Sequence, residues 1–143
     1  MWQIRKCTGA DFEQVSSLLD QLWPNKAQNR SKLRGAYDRA LASTTQRYLC
    51  AIDQGDLVGF CSVSFKNSLW QEGPLANIDE LVVAETARGQ GIGSALLDAV
   101  IDVARKIGCA RIELDSAFHR TEAHEFYEHK GFEKRAFLFT MAL

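Results

Sequence analysis

The run Arg88-Gly89-Gln90-Gly91-Ile92-Gly93-Ser94 is the stretch of this chain best suited to chemistry, and that chemistry is anion binding. Glycines at alternate positions strip side chains from a turn, so its backbone N–H groups can close around a ligand. A helix starting inside the run adds the unpaired N–H groups of its first turn. A diphosphate is the natural guest. A Walker loop would need Gly-Lys-Ser/Thr at its end, and no lysine is present. The dinucleotide-binding fingerprint comes closer, but its sixth position here is Ser94 rather than glycine or alanine. Ala84-Glu85-Thr86-Ala87-Arg88 also separates the preceding strand from the glycines, where that fold turns almost at once. The remaining pattern is Arg-x-x-Gly-x-Gly, matched by Arg88, Gly91 and Gly93. A connector that bound nothing would have little use for three glycines that weaken a helix start.

The elements that must position this loop follow from periodicity. Ile78–Val83 reads as a buried strand, and Ile92, Ala95, Leu96, Ala99, Val100, Val103, Ala104 and Ile107 mark one helical face behind the glycines. Upstream, Trp2–Cys7 is a predicted strand, followed by a helix with the stripe Phe12, Val15, Leu18, Leu19 and Leu22 that ends at Trp23-Pro24-Asn25. A second helix covers roughly Arg30 to Ala42. Arg47–Ile52 and Leu57–Phe65 form a hairpin across Asp53-Gln54-Gly55-Asp56, and Asn67–Pro74 reads as a loop. Downstream come a strand over Ala110–Asp115, a short helix over Thr121–Lys130 stopped by Gly131, and a last strand over Phe132–Met141. The order β-α-α-β-β-β-α-β-α-β defines an α/β (α+β) fold with a mixed sheet.

At 143 residues the chain is one domain, residues 1–143, large enough to bury roughly two-thirds of its unfolded surface. Its net charge of −1 and lack of a dense Lys/Arg run argue against a nucleic-acid partner. No apolar stretch is long enough to span a membrane, and Met1-Trp2-Gln3-Ile4-Arg5 reads as a strand rather than a signal peptide, so the expected location is cytoplasmic. Cys7, Cys50, Cys61 and Cys109 are scattered and mostly among apolar neighbours, which points to buried reduced thiols. His119, His124 and His129 are spaced so that they do not share a helix face, and no metal is expected.

The glycine loop with its preceding strand, and the succession of elements over essentially the whole chain, resemble the GCN5-related N-acetyltransferase (GNAT) superfamily. That resemblance implies a sheet splayed open beside the loop, flanked by four helices, with acetyl-CoA as cosubstrate wedged into the cleft. It implies backbone contacts to the pantetheine arm from Leu81, Val82 and Val83, with an N–H near Val82 or Val83 facing the thioester oxygen. The amides of Gly89, Gln90, Gly91, Ile92, Gly93 and Ser94 would hold the pyrophosphate, with Arg88 adding charge.

Ala123-His124-Glu125-Phe126-Tyr127-Glu128-His129-Lys130-Gly131-Phe132 matches the family's Ala-x-x-x-Tyr-x-x-x-Gly-Phe helix end, which makes Tyr127 the implied proton donor to the departing thiolate. The alternative for Tyr127 is packing beside Phe126 and Phe132. Glu80 is the expected base, acting directly or through water, or else orienting the amine; Asp79 should point to the opposite face unless a bulge intervenes, and Asp115 is a weaker candidate. Where many members carry asparagine, seven residues before the tyrosine, this chain has Arg120, placed for cofactor or for an anionic substrate group. The run around Arg120–Tyr127 and the ending Phe137–Leu143 look most like aminoalkylphosphonate N-acetyltransferases, whereas Leu22-Trp23-Pro24 is similar to some aminoglycoside acetyltransferases. The expected acceptor is therefore the primary amine of a small molecule, with Trp23 and Trp70 either walling its site or capping the core. The alternatives are a protein N-terminal or ribosomal-protein acetyltransferase and a non-catalytic acyl-CoA sensor. The apolar run Ala136–Leu143 permits a homodimer.

Overall fold

A computed structural model describes residues 1–143. Five strands form one sheet in chain order: β1 (Trp2–Lys6), β2 (Gln46–Asp53), β3 (Asp56–Ser68), β4 (Gly73–Val83) and β5 (Ile112–Glu113). The first four are antiparallel neighbours, and β5 joins β4 in parallel. Helices α1 (Phe12–Leu22) and α2 (Arg30–Ala42) cover one face, while α3 (Ile92–Ile107) covers the other. Helix α4 (Thr121–His129) follows β5.

Strand alternation sorts the core into two layers. Cys50, Phe60 and Val82 face Phe12, Val15, Leu18 and Leu19 of α1 and Tyr37 of α2. Cys61, Val63, Ala76 and Ile78 face Ile92, Leu96, Leu97 and Val100 of α3. Helix α3 lies unusually close to the sheet because Gly59 has no side chain: a Cβ there would sit 2.9 Å from both Ile92 Cγ2 and Leu96 Cδ1. The helix begins directly at the glycine loop, so this contact also sets where that loop stands. Its C-terminus is closed by Gly108 at φ 99°, whose N–H reaches Ala104 O and Arg105 O.

On the α1 face, the buried Asp11 carboxylate accepts both arms of the Arg5 guanidinium at 2.8 and 2.9 Å and the Thr8 N–H at 2.7 Å. The Arg5 bonds hold its pKa below the usual carboxylate range. Cys7 and Cys50 lie beside this pair, both buried and free. With Asp11 already engaged by Arg5, the group ties β1 and β2 to the turn before α1.

Three expectations are corrected. Residues 67–74 are not a loop: β3 and β4 pair out to Ser68↔Gly73, leaving a turn over residues 69–72. The ladder continues past the core because both strands are already aligned, and its polar side chains face water. The strand expected over Ala110–Asp115 pairs only at Ile112 and Glu113. The last strand, Phe132–Met141, is not formed at all; residues 132–143 belong to no helix or strand. A strand needs a neighbour, and this chain presents none to that segment.

Gly59→Ala is expected to lower stability by about 1–3 kcal/mol, because the neighbours it meets are fully buried side chains in a packed layer. Thermal denaturation should show a Tm reduced by roughly 3–8 °C.

Candidate active site

The glycine loop carries a continuous row of free donors. Arg88 N–H bonds Glu85 O and Ala95 N–H bonds Gly91 O, but no N–H from Gly89 through Ser94 has an acceptor in the protein. Gly89 and Gly91 have φ of 80° and 85°, the left-handed region where a side chain is strained. Gly93 plays another part. A Cβ there would lie 3.5 Å from Val83 Cγ2 and 3.9 Å from Phe126 Cζ, so its absence keeps a slot open between β4 and α4. Arg88 folds back to donate from Nε to Val83 O at 3.2 Å, bracing the loop against the strand end. Lys130, which the sequence did not single out, donates to Ser94 Oγ at 2.9 Å and to Asp98 Oδ1 at 2.7 Å. It ties the end of α4 to the start of α3 and places an ammonium beside the free amides.

The sheet opens next to this loop. Strands β4 and β5 pair only at Ala76↔Ile112 and Asn77↔Glu113, and from Ile78 onward β4 is bonded to β3 alone. Two bonds fix which amides face the gap: Glu80 N–H reaches Ser62 Oγ and Ala84 N–H reaches Val58 O, both toward β3. Alternation along an antiparallel strand then turns the Leu81 and Val83 amides toward the gap and the Val82 amide into the ladder. Of the three residues expected to contact the cofactor, Leu81 and Val83 thus turn an amide toward the gap, while Val82 contributes a buried side chain to the α1 layer.

A β-bulge decides the carboxylates. Ser62 pairs with Glu80 and Val63 with Ile78, leaving Asp79 as the extra residue. The expected opposition of Asp79 and Glu80 is therefore overturned. Glu80 accepts from Ser62 Oγ at 2.5 Å and Asp79 from Ser64 Oγ at 3.1 Å, and these serines stand two apart on one face of β3. Burial raises the pKa of Glu80; the Ser62 bond opposes the rise, and the Asp79 charge adds to it. Tyr48, on the same face, is pushed up to about 12 by burial and by these two carboxylates. Ser62 also escaped the sequence reading, although a serine inside Phe60-Cys61-Ser62-Val63 is a visible polar break in a buried strand.

Tyr127 reaches the gap from the opposite side. Its ring packs at 5.4 Å from Phe126 and 5.7 Å from Phe132, against the α3 layer. Burial raises the phenol pKa, offset by the nearby Arg120 charge. Packing and exposure to the site are combined in one residue: Tyr127 and Glu80 both line a cleft of about 600 Å³. Asp79, Leu81, Asp115, Trp23 and Lys26 line it too, together with His119 and Arg120. Arg120 accordingly belongs to this cleft rather than to the glycine loop. Trp70 does not line it; it stands on the β3–β4 turn, 84% exposed. His124 bonds Ala117 O instead of facing the cleft. Ser116, a further lining residue, has a buried hydroxyl with no partner in the protein.

With this geometry in place, comparison with known proteins is informative. The model of the acetyltransferase (GNAT) family matches residues 12–132. The chain is 32% identical over 141 residues to the aminoalkylphosphonate N-acetyltransferase of Salmonella typhimurium, covering 99% of this chain and 91% of that protein. It is 30% identical to the aminoglycoside N(6')-acetyltransferase type 1 of Stenotrophomonas maltophilia, covering 98% and 93%. Among solved structures, an aminoglycoside N-acetyltransferase in complex with CoA superposes with a TM-score of 0.88 at 19% identity, covering 100% of this chain and 95% of the other.

The Ser62 hydroxyl is the one hydrogen-bond donor that favours the charged form of Glu80. Ser62→Ala should therefore raise the Glu80 pKa further, read as an alkaline shift of its carboxyl resonance in an NMR titration.

Proposed function

The chain belongs to the acetyltransferase (GNAT) family, and on that premise we propose that it moves an acetyl group from acetyl-CoA to the primary amine of a small molecule that also carries an acidic group. The observation that carries this reading is the gap beside β4. It has free amides at one end and a carboxylate and a phenol facing it from opposite sides of the sheet.

The residues present fit acetyl-CoA. The unbonded amides from Gly89 to Ser94, with the guanidinium of Arg88 and the ammonium of Lys130, suit a pyrophosphate. The slot left by Gly93 and the free amides of Leu81 and Val83 suit an extended arm running along β4 as an added strand would. When bound, acetyl-CoA supplies an acyl group activated as a thioester. Glu80, its pKa raised by burial, is a stronger base than an ordinary carboxylate and is suited to accept the proton of a substrate ammonium. The Leu81 amide, the gap-facing donor that lines the cleft, stabilises the oxygen that gains negative charge as the amine attacks. The Tyr127 phenol holds the proton that the departing sulfur needs. A sensor would require neither side chain; here both face the cleft.

The cleft is bipolar, and this bears on the acceptor. Asp79, Glu80 and Asp115 would receive an ammonium, while Lys26, His119 and Arg120 would receive an anion. A zwitterionic aminoalkyl acid, an aminoalkylphosphonate above all, satisfies both ends. A polycationic aminoglycoside would bring its further ammonium groups against Lys26 and Arg120. Trp23 and Pro24 wall the cleft, which favours a compact acceptor over an extended peptide.

Three outcomes test this. Tyr127→Phe should lower kcat tenfold or more, against a usual acid–base contribution of ~10²-fold, with acetyl-CoA affinity by calorimetry nearly unchanged; undiminished turnover removes the phenol from the reaction. In wild type, kcat/KM should rise with pH as Glu80 loses its proton, on a limb above the ordinary carboxylate range, and Ser62→Ala should move that limb to higher pH. In a CoA-release assay, aminoalkylphosphonates should be preferred to aminoglycosides. Arg120→Ala should raise KM for the phosphonates by roughly tenfold, the worth of a charge-assisted hydrogen bond, and spare uncharged-tail amines; a preference for aminoglycosides overturns the assignment of acceptor.

A further inference from the structure

Helix α4 carries the phenol of Tyr127, yet none of its residues is buried. Phe126 and Tyr127, with Phe132 just beyond the helix, rest against the α3 layer. Such contacts set how closely α4 lies but fix no position along α3, because apolar attraction is not directional. Directional ties are scarce. His124 bonds Ala117 O in the loop before the helix, and Lys134 pairs with Glu128 within the same segment. The backbone hydrogen bonds at both ends of α4 are local. Lys130, the capping residue at its C-terminus, alone bonds another helix or strand, through Ser94 Oγ at 2.9 Å and Asp98 Oδ1 at 2.7 Å.

A lysine at a helix C-terminus ordinarily stays near the carbonyls of its own last turn. Lys130 instead leaves its helix, and its side chain is only 22% exposed, low for an ammonium. Its main-chain N–H meanwhile closes α4 on Phe126 O and Tyr127 O. One residue thus joins the backbone of Tyr127 to the first two turns of α3. An ammonium has three donors, and Ser94 and Asp98 account for two. Ser94 is also the last of the loop residues whose N–H is free.

We propose that Lys130 is a positioning residue that couples the glycine loop to Tyr127: its third donor takes an anionic oxygen of the cofactor at the start of α3, while its main chain holds the helix that presents the phenol. The inference deepens the proposed function and rests on it for the identity of the anion. In the free protein Asp98 alone balances the ammonium. With a phosphate oxygen beside Ser94 the ammonium gains a second anionic partner, and charge-assisted bonds are the short, strong ones. The junction of α3 and α4 is thereby tightened when the carrier end of the site is filled. Precision at the phenol matters, since a shift of about 1 Å at a reacting group costs on the order of 10²-fold in rate.

Hydrogen exchange with CoA as the probe tests the coupling without turnover. Saturating CoA should slow the amides of residues 125–130 about tenfold in wild type, the worth of one charge-assisted hydrogen bond. Lys130→Met, which keeps an unbranched chain without the ammonium, should bind CoA more weakly by calorimetry and lose that slowing at saturation. Asp98→Ala, which leaves α4 intact and favours helix in α3, should speed the same amides in the free protein. Wild type that binds CoA with α4 exchange unchanged overturns the inference, as does full slowing in Lys130→Met. Unaltered exchange in Asp98→Ala overturns it whatever the lysine variant does. Wild type that binds no CoA overturns the proposed function too, whereas CoA-dependent slowing without turnover on any amine removes the reaction and leaves the coupling. In turnover, Lys130→Met should lower kcat roughly tenfold through the misplaced phenol. The same change made in Tyr127→Phe should cost little more, because both act through one group. A raised KM at unchanged kcat, or additive losses, overturns the positioning role and leaves the proposed function standing.

Discussion

The parting of β4 from β5 is the constraint on which the rest of this structure depends. A sheet is stable when each strand satisfies its neighbour's backbone groups, and an unpaired row of N–H and C=O groups inside a protein is costly unless something occupies it. Here β4 keeps one partner for its whole length and loses the other after Asn77. The gap-side amides of Leu81 and Val83 are left without a strand partner, and Arg88 donates to one gap-side carbonyl, Val83 O, bracing the loop that follows. The glycine loop continues the row of free amides around the corner. Strand edge and helix start thus both present free backbone donors beside the gap.

The bulge at Asp79 adds chemistry to that surface. An extra residue in β4 restores the pairing with β3 in a shifted register, and the shift moves Glu80 from the α3 face to the face that carries Tyr48 and Ser62. Glu80 then addresses the cleft from one side of the sheet while Tyr127, packed on the α3 layer, addresses it from the other. Two titratable groups reach one gap without touching the same core. Their environments also differ: Glu80 sits beside a second carboxylate, whereas Tyr127 has a guanidinium nearby. Each is raised mainly by burial, as a cleft dry enough for acyl transfer would require.

The stable part of the molecule and the reactive part are built differently. The four antiparallel strands, α1, α2 and α3, together with the short connections between them, hold every buried residue, and Gly59 lets α3 settle against the sheet beside the glycine loop. The segment after Ala104 contributes Asp115, Ser116, Arg120 and Tyr127 to the cleft without a buried anchor of its own.

Much of this was legible in the chain itself, because local rules have few solutions. Helical periodicity set α1, α2 and α3 nearly to the residue, and alternate glycines after an apolar strand marked the turn before α3, where Gly89 and Gly91 take φ of 80° and 85° that strain other residues. The motif around Tyr127 likewise placed the phenol. What remained hidden depends on pairing between distant segments. A one-residue bulge cannot be seen from one strand alone, so the common face of Asp79 and Glu80, the support from Ser62 and the direction of the Leu81 and Val83 amides emerged only when β3 was laid beside β4. The placement of Lys130 against Ser94, of Arg120 in the cleft beside Glu80 and Tyr127, and of Trp70 outside it needed the packing of separate elements. The final segment has the composition of a strand, but composition cannot supply a neighbour. Sequence determined what each segment is able to form, through side-chain period and backbone freedom; tertiary structure alone decided which partner each segment meets, because hydrogen-bond register and burial are properties of pairs.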